Sequence, residues 1–305
     1  MNAGSGAIGS AWTRLRRRTD GWSGTTRALA WSVAAGATFS LLNALIRSLS
    51  QQLDPLQAQF LRYAGGLLVM LPFVARGGWT AWRPQSLGGQ FSRGLLHTAG
   101  LSLWFLALPH LPLADTTAIG FTTPIFVMLG AWLVFREPMR WERWVAAAIG
   151  FCGVLIVVGA QLGGSSGLHH LVMLASAPLF AASFLVTKAL TRHESTGVIL
   201  LWQALSISLF SLPLALWHWQ APTLPQLAGF LLAGVLGNAA HWCLTQSFRA
   251  ADISATQSVK FLDLVWAAAM GWLVFGDLPT RSALIGGAVI CASTLWIARR
   301  EAARG

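Results

Sequence analysis

The stretch 251-ADISATQSVKFLDLVWAAAMGWLVF-275 is long and apolar enough to cross a bilayer, yet it carries Lys260 and Asp263 well inside it. A charge near the middle of a spanning helix costs about 2.5–3.5 kcal/mol on insertion scales. One helical turn sets Lys260 and Asp263 on the same face as i and i+3 neighbours, where they partly neutralise each other. Such a pair either orients the helix against its neighbours or faces a polar cavity that handles a substrate or a proton. An intramembrane charge is by default a functional-site hypothesis.

Composition extends this reading to the whole chain. Of the 305 residues 55% are hydrophobic and only 10% charged, mean hydropathy is +0.59, and there are 16 Trp against one Tyr. Soluble domains carry about 25% charged residues, so this is the composition of a polytopic membrane protein. Apolar segments bounded by Pro, Gly and charge fall at about 28–47, 56–75, 92–110, 115–135, 142–161, 168–190, 196–217, 225–248, 252–275 and 281–298. None alternates with a period of two, which disfavours barrel strands and predicts an all-α protein of ten transmembrane helices. Residues 1–27 form a Gly/Ser-rich basic tail and 299–305 a short C-terminal one. No apolar core follows the basic run as in a cleaved leader, so the first span is expected to act as the insertion signal. Cys152, Cys243 and Cys291 stand in apolar runs without CxxC or zinc spacing, and neither disulfide, metal nor cofactor is indicated.

The net charge of +11 is placed for orientation rather than for nucleic acid. With the N-terminus inside, 16 of the 21 basic residues fall in inner segments, among them Arg76, Arg83, Arg93, Arg136, Arg140, Arg143, Arg192 and Arg249. Only Arg47 and Arg281 fall outside, and Arg62, Lys188 and Lys260 lie within spans. That asymmetry predicts an inner membrane protein with both termini cytoplasmic.

The chain also repeats itself. A shift of 140 residues lays Trp132-Leu133-Val134-Phe135 onto Trp272-Leu273-Val274-Phe275, with Glu137 on Asp277. A shift of 145 lays Phe39, Ala44, Leu45 and Arg47 onto Phe184, Ala189, Leu190 and Arg192. Two halves, 28–161 and 168–298, then hold five spans each, and an odd number per half inverts the second copy. Inverted repeats are the sign of secondary transporters, whose substrate site lies near the midplane between the halves.

The segments 121-FTTPIFVMLGAWLVFREPMRWERWVAAAIGFCGVLIVV-158 and 264-LVWAAAMGWLVFGDLPTRSALIGGAVICAS-293 resemble the two EamA-type repeats of the drug/metabolite transporter superfamily. So does 54-DPLQAQFLRY-63, where an Arg enters the second span. The resemblance covers residues 28–298 and implies ten helices in two inverted five-helix repeats around a central cavity. One departure is Leu264, which stands where the first copy has Pro124, so a kink is expected in the fourth span rather than the ninth.

Candidate residues follow from polar groups set in apolar runs. Arg62 either snorkels to the headgroups or offers its planar fork to a carboxylate of the substrate or of Asp263, with Tyr63 beside it. Lys188 either reaches the inner interface or faces the cavity, as does its repeat partner Asn43. His97 and His241 are either satisfied by neighbours or exchange protons. Trp104 and Trp202 offer buried faces to a flat substrate, while Gln203 and Asn238 are polar along the seventh and eighth spans. Thr122, Thr123 and Pro124 interrupt the fourth span, as a static kink or as a hinge. Asp263, with Lys260, is the expected coupling group. The Gly/Ala runs 146–153 and 284–293 permit close helix packing or a homodimer face. His169 and His170 are too isolated for a metal. Together these predict a transporter that moves a small polar or amphipathic metabolite, amino-acid, nucleoside or cofactor-like, across the bilayer by alternating access. A membrane sensor without transport, or a membrane-embedded enzyme, is the alternative, though an enzyme would need a nucleophilic or acidic cluster that Glu137 with Glu142 does not supply.

Overall fold

The computed structural model describes residues 22–137, 141–161, 167–253, 256 and 262–302. Among these residues there is no strand. The helices are α1 (Gly24–Ser50), α2 (Pro55–Gly77), α3 (Leu87–Ala107), α4 (Leu113–Gly120), α5 (Thr122–Phe135), α6 (Trp141–Gln161), α7 (Gly167–Leu190), α8 (Thr196–Leu216), α9 (Leu224–Ala250), α10 (Leu262–Met270) and α11 (Arg281–Ala302). Among the described residues, six helices are long and apolar enough to cross a membrane: α1, α2, the Ala118–Phe135 part of α4 and α5, α7, α8 and α9.

Helix starts follow local chemistry. Asp54 accepts from the backbone N–H groups of Leu56 and Gln57 at 2.9 and 3.2 Å, and Pro55 needs no partner at the first helical position. Ser86 and Ser195 cap α3 and α8 in the same way, and Thr223 forms a reciprocal capping box with Gln226 at the head of α9.

Pro124 explains the split between α4 and α5. It has no N–H for the carbonyl of Gly120 and its ring crowds that carbonyl, so α4 stops at Gly120, turns at Phe121 and resumes at Thr122. The Thr122 hydroxyl donates to the Ile119 carbonyl at 2.8 Å, satisfying an acceptor that the break exposes. The interruption expected at Thr122–Pro124 thus begins one residue earlier, at Phe121. Leu264 imposes no such break, and α10 instead passes into one π turn, Gly271–Phe275.

The repeat is visible in the turns that follow. Arg136 and Gly276, 140 residues apart, both adopt left-handed backbone at φ 55° and 69°. The next N–H in each, of Glu137 and Asp277, reaches back to the carbonyls of Ala131 and Gly271 at 3.3 and 3.1 Å. This closure, one residue wider than the Schellman motif, is the same left-handed cap formed twice from matched sequence.

Packing pairs α1 with α9, α3 with α7, α6 with α11 and α2 with α8 and α9. The Gly/Ala-rich α6 and α11 therefore lie on one another within the chain. Leu68, Leu133 and Trp217 are 58%, 68% and 82% exposed, whereas Arg62, Arg93, His97 and Gln203 are buried. An apolar exterior around a polar interior fits a bilayer as solvent. At one end of the bundle Ser247 of α9 donates to the carbonyl of Ala28 of α1, and Lys188 of α7 donates to Phe248 and Ala251. At the other, Arg47 of α1 pairs with Asp277, Thr280 donates to Asp115 of α4, and Asp115 lies 3.6 Å from His170 of α7.

Candidate functional site

A cavity of about 230 Å³ lies among α1, α2, α3, α7, α9 and the broken pair α4 and α5, with α10 closing one side. Asn43, Arg62, Tyr63, His97, Trp104, Thr123, Pro124, His241 and Asp263 all line it. The chain folds so that polar residues scattered over more than two hundred positions meet here, because each is the polar interruption on the inward side of an apolar helix.

Arg62 and Tyr63 dominate the polar wall. The Arg62 guanidinium lies 4.1 Å from the centre of the Tyr63 ring, and both residues are buried. Arg62 Nη1 and the Tyr63 hydroxyl have no hydrogen-bond partner among the described residues. Gly237 makes this placement sterically possible, since a Cβ there would stand 2.8 Å from Arg62 Nη2. Gly36 does the same for Asp263, whose carboxylate rests where a Cβ on Gly36 would be.

The facing wall is aromatic. His97 and His241 lie ring to ring at 5.4 Å, Phe39 meets His241 edge-on at 5.0 Å, and Phe180 meets His97 at 5.2 Å. His97 Nδ1 is 3.0 Å from the Ser183 hydroxyl. Each aromatic contact of this kind adds about 0.5–1.5 kcal/mol beyond burial, and a flat ring entering the cavity would find the same edges.

Behind this wall runs a polar relay that sequence reasoning missed. Arg93, counted above with the inner loop charges, is 2% exposed and sits inside α3. It donates through Nε to the Thr187 hydroxyl at 2.5 Å, through Nη1 to the Ile199 carbonyl at 3.1 Å, and through Nη2 to Gln203 Oε1 at 2.7 Å. The Gln203 amide nitrogen then stands 3.2 Å from His241 Nε2. The available signal was spacing: Arg93 precedes His97 by four residues and so shares its helix face.

Four expected residues take other places. Gln203 and Asn238 line a small void behind Arg62 rather than the main cavity, and Asn238 donates to the Gly66 carbonyl at 2.8 Å. Trp202 points away, giving its indole N–H to the Trp82 carbonyl at 3.0 Å. Lys188 does not face the cavity as Asn43 does. Its ammonium caps α9 by donating to the Phe248 and Ala251 carbonyls, both at 2.7 Å, because a four-carbon stem near the end of α7 reaches the last turn of α9. Lys260 lies outside the described residues. Among the described residues no group of three or more His, Cys, Asp or Glu could hold a metal ion.

A bundle of apolar helices enclosing a polar and aromatic cavity, with unpartnered donors on its wall, is the architecture of a membrane carrier for a small solute. The model of the EamA-like transporter family matches residues 26–159 and again residues 168–299, and the chain belongs to that family. A riboflavin transporter of Rhizobium johnstonii is 35% identical over 277 residues, covering 90% of this chain and 91% of that one. A riboflavin transporter of Vibrio cholerae is 31% identical over 277 residues, covering 89% and 92%. An S-adenosylmethionine uptake transporter of Rickettsia prowazekii is 26% identical over 273 residues, covering 90% and 92%. A solved crystal structure at 17% identity superposes with a TM-score of 0.70 over 90% of this chain and 98% of that chain, a likeness of fold.

Proposed function

We propose that this chain is an inner-membrane secondary transporter of a cofactor-like metabolite with a flat heteroaromatic ring, of the flavin class, working by alternating access. The observation that carries the reading is the central cavity, where the buried donors of Arg62 and Tyr63 face a wall of Phe and His rings. Riboflavin suits it chemically: the ring system stacks on aromatic edges, and its ring carbonyls accept from a guanidinium and a phenol. The relatives named for riboflavin and for S-adenosylmethionine both carry cargo of ring plus polar chain, which supports the class.

Ten spans in two inverted five-helix repeats accommodate this mechanism. Support comes from the matched caps at Arg136 and Gly276 and from the meeting of the α1 start with the α9 end. Both termini are cytoplasmic in this reading, as the basic asymmetry of the loops favours. Asp263, with Lys260, serves as the coupling pair, and Thr123 and Pro124 form the hinge. A homodimer would have to form on the lipid side of α6 and α11, since these helices already pack on one another.

The test is uptake of riboflavin and S-adenosylmethionine into proteoliposomes, with and without an imposed pH gradient, for the natural protein and for Asp263→Asn. Riboflavin accumulation that needs the gradient and disappears in the variant is the expected result. Neither compound bound nor moved would defeat the cargo class, and gradient-independent uptake unchanged by Asp263→Asn would defeat the coupling role.

A further inference from the structure

The duplicated turn carries more than a shared backbone. At the end of α1, Arg47 stands over the Phe275 ring at 4.4 Å and pairs with Asp277. Just beyond α7, Arg192 stands over the Phe135 ring at 5.3 Å, with buried Glu137 two residues further along. Lys188 lies in the electrostatic reach of both Glu137 and Arg192. Arg47 and Arg192 are repeat partners by the shift of 145, and Phe275 and Phe135, like Asp277 and Glu137, are partners by the shift of 140. Cation, ring and acid therefore recur twice, each time bringing the end of one repeat's first helix to the end of the other repeat's fourth.

The two clusters sit at opposite ends of the bundle. The turn bearing Asp277 also bears Thr280, which donates to Asp115, and Asp115 lies 3.6 Å from His170 in the first turn of α7. Arg192 follows the last residue of α7, some 22 positions later, or about 33 Å along a helix.

We infer that these clusters are the two latches of the transport cycle. Arg47, Phe275 and Asp277 close the end of the cavity where α1 finishes, and Arg192, Phe135 and Glu137 close the end where α7 finishes. The helices that carry the rings, α10 with its π turn and α5, also carry cavity wall, at Asp263 and at Thr123 and Pro124. Swinging either helix thus moves a latch and the site together. The side chains of Arg47 and Asp277 are 10% and 26% exposed, so the pair sits at the edge of the packed interior and opening must hydrate Arg47. Matched chemistry at both ends also keeps the two closed states near in free energy, which a carrier needs if cargo is to shift their populations.

The inference rests on the carrier reading for what passes through, but its test needs no cargo. Cys152, Cys243 and Cys291 are replaced, and Ser40, which lines the cavity, becomes the reporter in Ser40→Cys. The full chain in vesicles of either orientation is labelled with a membrane-impermeant maleimide. Arg47→Ala should raise labelling from the face where α1 ends by about fivefold and lower it from the other, and Arg192→Ala should do the reverse. Phe275→Leu and Phe135→Leu, which keep an apolar side chain, should shift labelling in the same two senses and serve if an arginine variant fails to fold. The exchange Arg47→Asp with Asp277→Arg should restore the natural pattern. Shifts toward the same face, or labelling that no variant alters, would overturn the latches. Opposite shifts in a protein that moves neither test compound would leave the latches standing and defeat the flavin-class cargo.

Discussion

Arg62→Met separates a binding group from a structural one. In the structure the guanidinium is buried with Nη1 unpartnered, a condition that costs about 1–3 kcal/mol. Its stacking on Tyr63 at 4.1 Å returns about 0.5–2 kcal/mol. Methionine gives up both terms and keeps a soft contact with the ring of about 0.3–1.5 kcal/mol. At their midpoints these changes leave about 1–2 kcal/mol in favour of the variant, so the melting temperature of the empty protein should rise slightly and move by no more than about 5 °C. Cargo tells a different story. A charge-assisted hydrogen bond from Arg62 to a ring carbonyl contributes about 1.5–3 kcal/mol, so the variant should bind riboflavin on the order of 10- to 150-fold more weakly. Quenching of flavin fluorescence in detergent gives the affinity, and melting followed by far-UV circular dichroism gives the stability. Arg62→Lys keeps the charge but not the planar fork and should fall between the two. A large drop in melting temperature with affinity intact in the folded fraction would show that Arg62 holds helices together and that the cavity wall is not its purpose.

Gly36→Ala places a methyl group where the Asp263 carboxylate lies and should abolish gradient-driven uptake at unchanged membrane expression, while undiminished uptake would show that this position of Asp263 is not required. Gln203→Leu deprives Arg93 Nη2 of its acceptor at a site 2% exposed and should destabilise the protein by about 3 kcal/mol, with Gln203→Glu recovering most of the loss in a thermal melt. Lys188→Met removes the two hydrogen bonds that cap α9 and should lower stability by about 1–2 kcal/mol without changing flavin affinity, and a loss of affinity would return Lys188 to the site.

Helix boundaries were legible because charge, Pro and Gly bound each apolar run. The segment expected at 56–75 is Pro55–Gly77 and that expected at 168–190 is Gly167–Leu190. The duplicated turn was legible because identity of sequence there means identity of cap, down to the left-handed residue that only one copy supplies as glycine. Asn43, Arg62, Tyr63, His97, His241 and Asp263 were legible as cavity residues because a polar group deep in an apolar helix has few other places to go. Trp202 was not, since an indole finds a backbone acceptor as readily beside a loop as in a cavity, and the carbonyl it uses belongs to Trp82, far away in sequence.

Arg93 departs from the loop role that its surroundings suggested and Lys188 takes the helix-end one of its two expected roles, and the cause is the same for both. Each lies within a few residues of a helix end, where hydropathy cannot say whether that end is tucked among other helices or open to water. The end of α3 is tucked in: Thr187, Ile199 and Gln203 converge on Arg93 from α7 and α8, so a residue that reads as a topology charge becomes the anchor of the bundle's polar centre. Removing one residue from the inner count leaves the asymmetry of the loops intact, so the orientation argument survives. What changes is the site. Because Arg93 occupies Gln203 Oε1, the amide N–H₂ of Gln203 is the end left to face His241, 3.2 Å from Nε2 and 3.5 Å from Nδ1, and a residue outside the cavity decides which group a cavity residue meets.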